Sequence, residues 1–118
     1  MIFNEKKSIY LQIADEICER IVRGEYKEEE RIPSVRETAM EAEVNSNTVM
    51  KSYDHLQGDG IIYSQRGLGY FVSKGAAQNI RKIRKEEFMK VTLPTIAGTM
   101  KTLGIGIEEV VNRIYKLL

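Results

Sequence analysis

The stretch at positions 44–56, VNSNTVMKSYDHL, constrains the fold more than any other. Its apolar members Val44, Val49, Tyr53 and Leu56 are spaced by five, four and three, which gathers them on one face of a helix and does not fit the alternation of a strand. Ser46, Asn47, Thr48 and Lys51 take the remaining faces. Asn45 stands ahead of the run as an N-cap, so the small polar residues fall in the first turn beside backbone N–H groups that no helical carbonyl uses. One side of such a helix packs; the other can hydrogen-bond. A polar-capped surface helix of no special function has the same pattern, so the flanking sequence decides between them.

Upstream, Ile9, Ile13, Ile17 and Ile21 recur at a spacing of four with Ala14, Cys18 and Val22 alongside, and Gly24 follows as a stop. This predicts a packing helix over residues 8–22. A charged connection at 25–31 leads to Ile32, which is expected to be an extended core contact because the residue before Pro33 is pushed out of helical dihedrals. Ser34-Val35-Arg36-Glu37 then has the form of a capping box, and it predicts a short second helix ending near Glu43 with Val35, Ala39 and Ala42 inward. Arg36 sits at the second position of that helix, where the dipole does not favour a cation; a phosphate or guanine partner would explain it, and so would an ordinary surface arginine.

Two helices joined by about three residues, the second with a polar first turn, form a helix-turn-helix that presents its second helix to the DNA major groove. Past Gly58 and Gly60, the β-prone runs 61–64 and 70–73 flank Gln65-Arg66-Gly67-Leu68-Gly69. This predicts a hairpin wing. Turn geometry accounts for Gly67 and Gly69 but leaves Arg66 at the tip without a structural reason.

Charge and composition narrow the possibilities further. The chain is 42% hydrophobic and 30% charged with a formal net charge of +1, values of a soluble globular protein. That weak total hides a division. Residues 1–43 hold 7 Lys/Arg against 11 Asp/Glu, a balance of −4, whereas residues 44–90 hold 8 against 4, a balance of +4. A cationic part kept apart from an acidic one suits one-sided contact with a polyanion. No stretch reaches the ~18 apolar residues of a membrane span, and Met1–Lys7 leads into an amphipathic pattern rather than an apolar run, so a cytoplasmic protein without membrane contact is expected. Cys18, the only cysteine, reads as a reduced core thiol. His55 is the only histidine, no residues have metal-ligand or nucleophile spacing, and RGLGY is too short for a phosphate-binding loop, so neither an enzyme nor a cofactor is implied.

Residues 9–72 resemble the winged helix-turn-helix of the GntR family of bacterial transcription factors. The resemblance is carried by IYLQIADEI, RIPSVRE, VNSNTVMKSYDHL and RGLGYFV in that order. The short extension beyond them is most similar to the YtrA-like subfamily. This resemblance implies a homodimeric repressor on a palindromic operator of double-stranded DNA, often beside transporter genes. The DNA contacts it implies fall on Ser34, Arg36, Ser46, Asn47, Thr48, Lys51, Arg66, Gly67 and Gly69, to which the capping Asn45 is added. The chain departs from the family at Glu29, where glycine is frequent, at Ser46 and Met50, where many relatives carry arginine, and at Glu43.

The fold class expected is mostly α (α+β): a winged helix-turn-helix at 1–74 and a helical dimerisation region at 75–118. In the latter, Gly75 opens a helix over 76–90 with basic Arg81, Lys82, Arg84 and Lys85, Pro94 is expected to kink or restart it, and Gly104-Ile105-Gly106 breaks it before a last helix. Ile80, Phe88, Val91, Ile96, Met100, Leu103, Val110, Val111, Ile114 and Leu117 supply more apolar surface than a small winged domain can cover, and are expected to pair with a second copy. The alternative is a winged-helix module for protein contacts without specific DNA binding. Nothing in the sequence identifies a small-molecule effector.

Overall fold

The computed structural model describes residues 6–118; the expectations that rest on positions 1–5, at the start of the first domain, lie outside the described residues. Contact divides the chain into two compact units, Met1–Arg81 and Lys82–Leu118.

In the first unit, α1 (Ile9–Val22), α2 (Val35–Ala42) and α3 (Ser46–Gly58) are followed by a hairpin of β1 (Ile62–Gln65) and β2 (Gly69–Val72). Each helix buries most of the stripe its spacing promised: Ile13, Ile17 and Ile21 from α1, Ala39 and Ala42 from α2, Val49, Tyr53 and Leu56 from α3, whereas Ile9 at the start of α1 is 43% exposed and Val35 and Val44 are half-buried. These close on Ile32, Ile61, Ile62 and Val72 in one core. Removing so much apolar surface from water, at roughly 25 cal/mol per Å², is the main force holding the three helices together. Ser52 is the exception among them. It is fully buried, and its hydroxyl is satisfied by the carbonyls of Tyr10 at 2.7 Å and Thr48 at 3.2 Å.

The hairpin is antiparallel with Ile62 opposite Val72 and Gln65 opposite Gly69. The segment before α2 extends it. Arg31 forms an isolated antiparallel bridge to Phe71, and Glu29 N–H donates to Val72 O at 2.7 Å, Val72 N–H to Glu30 O at 3.1 Å and Ile32 N–H to Tyr70 O at 2.9 Å. Ile32 thus reaches the core from a short extended segment bridged to β2. The turn that delivers it places Glu29 at φ 62, and α2 ends with Glu43 at φ 56, both left-handed. Glycine takes up such dihedrals without the ~1–2 kcal/mol that a Cβ costs there.

The first unit runs past the boundary expected after residue 74. α4 (Ala76–Glu87) begins inside it, with Ala76 and Ile80 buried and the Asn79 side chain donating to Asp59 O at 2.8 Å. Ile80 therefore does not belong to a surface for a second copy: at 1% exposure it is core of the winged domain. Helical spacing alone cannot tell which body an apolar stripe packs against.

In the second unit Pro94 falls in the first turn of a restarted helix, as expected, but the chain keeps helical dihedrals across the junction. A π-helical turn (Phe88–Thr92) precedes α5 (Leu93–Leu103), and Glu87, Thr92 and Leu93 all keep right-handed helical dihedrals. Proline has no N–H to return to the carbonyl four residues back and crowds it; a wider turn just upstream accommodates both. The break falls at Gly104, left-handed at φ 68, with Ile105 N–H reaching back to Met100 O at 2.9 Å. α6 (Ile107–Leu117) then starts at Gly106 with Glu108 and Glu109 in its first turn. Among the described residues no helix is long and apolar enough to cross a membrane.

Candidate nucleic-acid interface

The start of α3 is built as its sequence suggests. Asn45 holds an extended conformation, and its side-chain oxygen accepts from Asn47 N–H at 2.7 Å, which stops the helix unwinding. Ser46 and Asn47 are exposed and Thr48 half-buried, and no hydrogen bond among the described residues occupies their side-chain polar groups. They are free to bond a partner. Lys51, one turn on, is held in place: its Nζ lies 4.2 Å from the centre of the Tyr10 ring, and Tyr10 in turn meets His55 edge-on at 6.1 Å. His55 is exposed, its Nε2 3.6 Å from Asp59 Oδ2.

The start of α2 carries the expected reciprocal cap. Ser34 Oγ accepts from Glu37 N–H at 3.0 Å while Ser34 N–H donates to Glu37 Oε1 at 3.2 Å. That backbone donor holds the Glu37 carboxyl below its ordinary range. Arg36, next to it, is exposed and has neither an ion pair nor a hydrogen bond among the described residues. In the wing, Arg66-Gly67-Leu68 is a three-residue loop closed by Leu68 N–H on Gln65 O at 2.9 Å, with Gly67 at φ 78 and Arg66 exposed. Gly69 has a reason beyond its φ of 114. A Cβ there would stand 3.1 Å from Arg31 Nε, so the glycine makes room for the arginine of the bridging segment.

Several contributors were not visible in the sequence. Tyr10 steadies Lys51, and Arg31 lies along the wing. The Tyr70 hydroxyl donates to Met50 Sδ at 3.6 Å, and its ring meets Tyr53 edge-on at 4.9 Å. Tyr53, expected only as an apolar contact, ties α3 to the start of α2: its hydroxyl donates to Pro33 O at 2.6 Å and accepts from the Thr38 hydroxyl at 2.8 Å. Partners 15 to 20 residues apart leave no local signal.

Burial pushes the Tyr53 hydroxyl up to about 12 from its usual value near 10. The folded protein keeps this proton at a pH where the unfolded chain gives it up. Its contribution is therefore complete below pH ~10 and is lost as pH rises from there toward ~12. Tyr53→Phe should cost about 1–3 kcal/mol at neutral pH by stranding the Pro33 carbonyl, and should lose less stability than the wild type across that alkaline window. Thermal melts of both proteins from pH 8 to 12 check it; parallel curves would contradict the assignment.

A cavity of about 330 Å³ lies elsewhere, between α1 and α2, over Ile13, Ile17 and Ala42. Arg20 spans it, bonding Tyr26 at 2.9 Å and Glu16 and Glu41 at 3.3 Å, so its charged groups satisfy one another.

An exposed polar helix start, an arginine beside a second helix start and an arginine-tipped wing are the parts of a DNA-binding winged helix. The family model for the bacterial regulatory proteins of the gntR family matches residues 9–72. The chain belongs to the GntR family. This GntR chain is 38% identical over 112 residues to the transcriptional regulator YhcF of Bacillus subtilis, covering 95% of itself and 91% of YhcF. It is 41% identical over 101 residues to the transcriptional repressor YtrA of the same organism, covering 86% of itself and 77% of YtrA. A GntR-family regulator of known structure from Bacteroides thetaiotaomicron is 49% identical, with a TM-score of 0.78 over 92% of this chain and 95% of that one. Similarity over nearly the full length, helical extension included, places this GntR regulator with the YtrA-like subfamily; proteins of the family are transcription factors, not enzymes.

Proposed function

We propose that this chain is a cytoplasmic repressor that binds a palindromic DNA operator as a homodimer, beside or within a transporter operon. The observation that carries the reading is the uncovered first turn of α3, where Ser46, Asn47 and Thr48 have no partner in the described fold. In the major groove Asn47 would bond an adenine edge, with Ser46 and Thr48 beside it. Arg36 and Lys51 would meet phosphates or a guanine, and Arg66 with Gly67 and Gly69 would let the wing approach the backbone.

The exposed apolar residues of the second unit support the dimer. In a single chain Phe88, Val91, Leu103 and Ile114 are 46–65% exposed and Leu117 83%. On α6, Ile107, Val110, Val111, Ile114 and Leu117 share one face, with Glu108, Glu109, Arg113 and Lys116 on the others. A two-fold pairing of such faces covers the stripe on both copies and presents two α3 helices to half-sites about one helical turn apart. The test is selection of duplexes from a random pool by the purified protein. Enrichment of an inverted repeat bound by two chains supports the reading, and a pool that stays random overturns it.

A further inference from the structure

We propose that Met50 is a specificity-determining residue that packs its thioether against the 5-methyl group of a thymine in each half-site. The inference rests on the reading that α3 enters the major groove. Met50 follows Ser46 by four residues and Asn47 by three, so it continues the helix surface that those side chains open. It is 42% exposed although its neighbours Val49, Ser52 and Tyr53 on the same helix are fully buried, and it interrupts an otherwise polar surface.

Its side chain is not left to wander. The Tyr70 hydroxyl from β2 bonds its sulfur at 3.6 Å, the Tyr70 ring stands edge-on to Tyr53 at 4.9 Å, and Tyr53 is fully buried. A flexible residue is thereby oriented through two contacts that end in the core, which lowers the entropy lost when it meets a surface. Its chemistry then selects the partner. A thioether carries no charge to offer a phosphate and no donor for a guanine. The one apolar group that a base pair displays in the major groove is the thymine methyl.

The experiment uses full-length protein and the duplex it selects from a random pool, with each thymine replaced in turn by deoxyuridine, which removes the methyl and nothing else. At one symmetry-related pair of thymines the wild type should lose about fourfold in affinity per half-site, the equivalent of leaving one methyl unburied. Met50→Ala should be indifferent to deoxyuridine at that pair while keeping its response elsewhere, Met50→Leu should retain the response, and Tyr70→Phe should blunt it. All three variants should melt close to the wild type. A scan in which every thymine tolerates replacement, or a methyl effect that persists in Met50→Ala, overturns the proposal. If Asn47→Ala still weakens binding in that case, only the role of Met50 falls. If the wild type enriches no duplex, the operator reading and this proposal fall together.

Discussion

Replacing Ile114 by glutamate is expected to yield a folded monomer whose affinity for operator DNA is lower by about two to four orders of magnitude. Ile114 is 46% exposed in the single chain and lies midway along the apolar face of α6, between Val110 and Leu117. In a two-fold interface the substitution appears twice, burying two unpaired carboxylates, and the loss of a dimer removes the tether that makes the second half-site contact intramolecular. Because Ile114 makes no contribution to the core of the first unit, the winged domain should be unaffected. Met100 is a less clean choice, being half-buried already within one chain. Sedimentation and duplex titration of the same preparations read both effects; an intact dimer carrying the glutamate would refute the assigned interface.

The second large effect is expected at Asn47. Asn47→Ala removes a side chain able to bond a base edge at two points, worth about 1–3 kcal/mol of discrimination in each half-site. Both half-sites lose it together, so specific affinity should fall by one and a half to four orders of magnitude while binding to random duplex changes little. Arg36→Ala and Arg66→Ala should act differently. A lost phosphate contact weakens all sequences alike and flattens the slope of log K against log salt by about one unit for each contact removed. None of the three side chains is bonded within the described fold, so the melting temperature should hold. Asn45→Ala supplies the contrast: it deletes the cap of α3 and should lower stability by about 1 kcal/mol. Unchanged operator binding in Arg36→Ala, Asn47→Ala and Arg66→Ala alike would favour a winged module that serves protein contacts.

Much of the scaffold is readable because its determinants are local. The reciprocal Ser34–Glu37 cap, the Asn45 cap, the four-residue spacing of isoleucines in α1 and the glycines of the wing each fix backbone within a turn of themselves. What escapes is set by residues far apart in sequence or by competition between partners. Ile80 has the spacing of an interface residue, yet the winged domain claims it. Pro94 signals the restart at α5 but not the π-helical turn that precedes it. The isolated bridge at Arg31 exists only because β2 offers an edge, and the Tyr70–Met50 and Lys51–Tyr10 contacts join residues 20 and 41 positions apart. The side chains proposed to meet DNA stand out in the sequence for a physical reason: Ser46, Asn47 and Thr48 serve as neither cap nor core, so no structural task accounts for them.

Whether the first turn of α3 meets the bases while the wing meets the backbone can be read by following backbone amide resonances as the selected duplex is added. The largest shifts are expected at Ser34 and Arg36, across Ser46, Asn47, Thr48 and Lys51, and at Arg66 and Gly67. Shifts confined to α1 or α6, with the start of α3 unmoved at saturation, would contradict it.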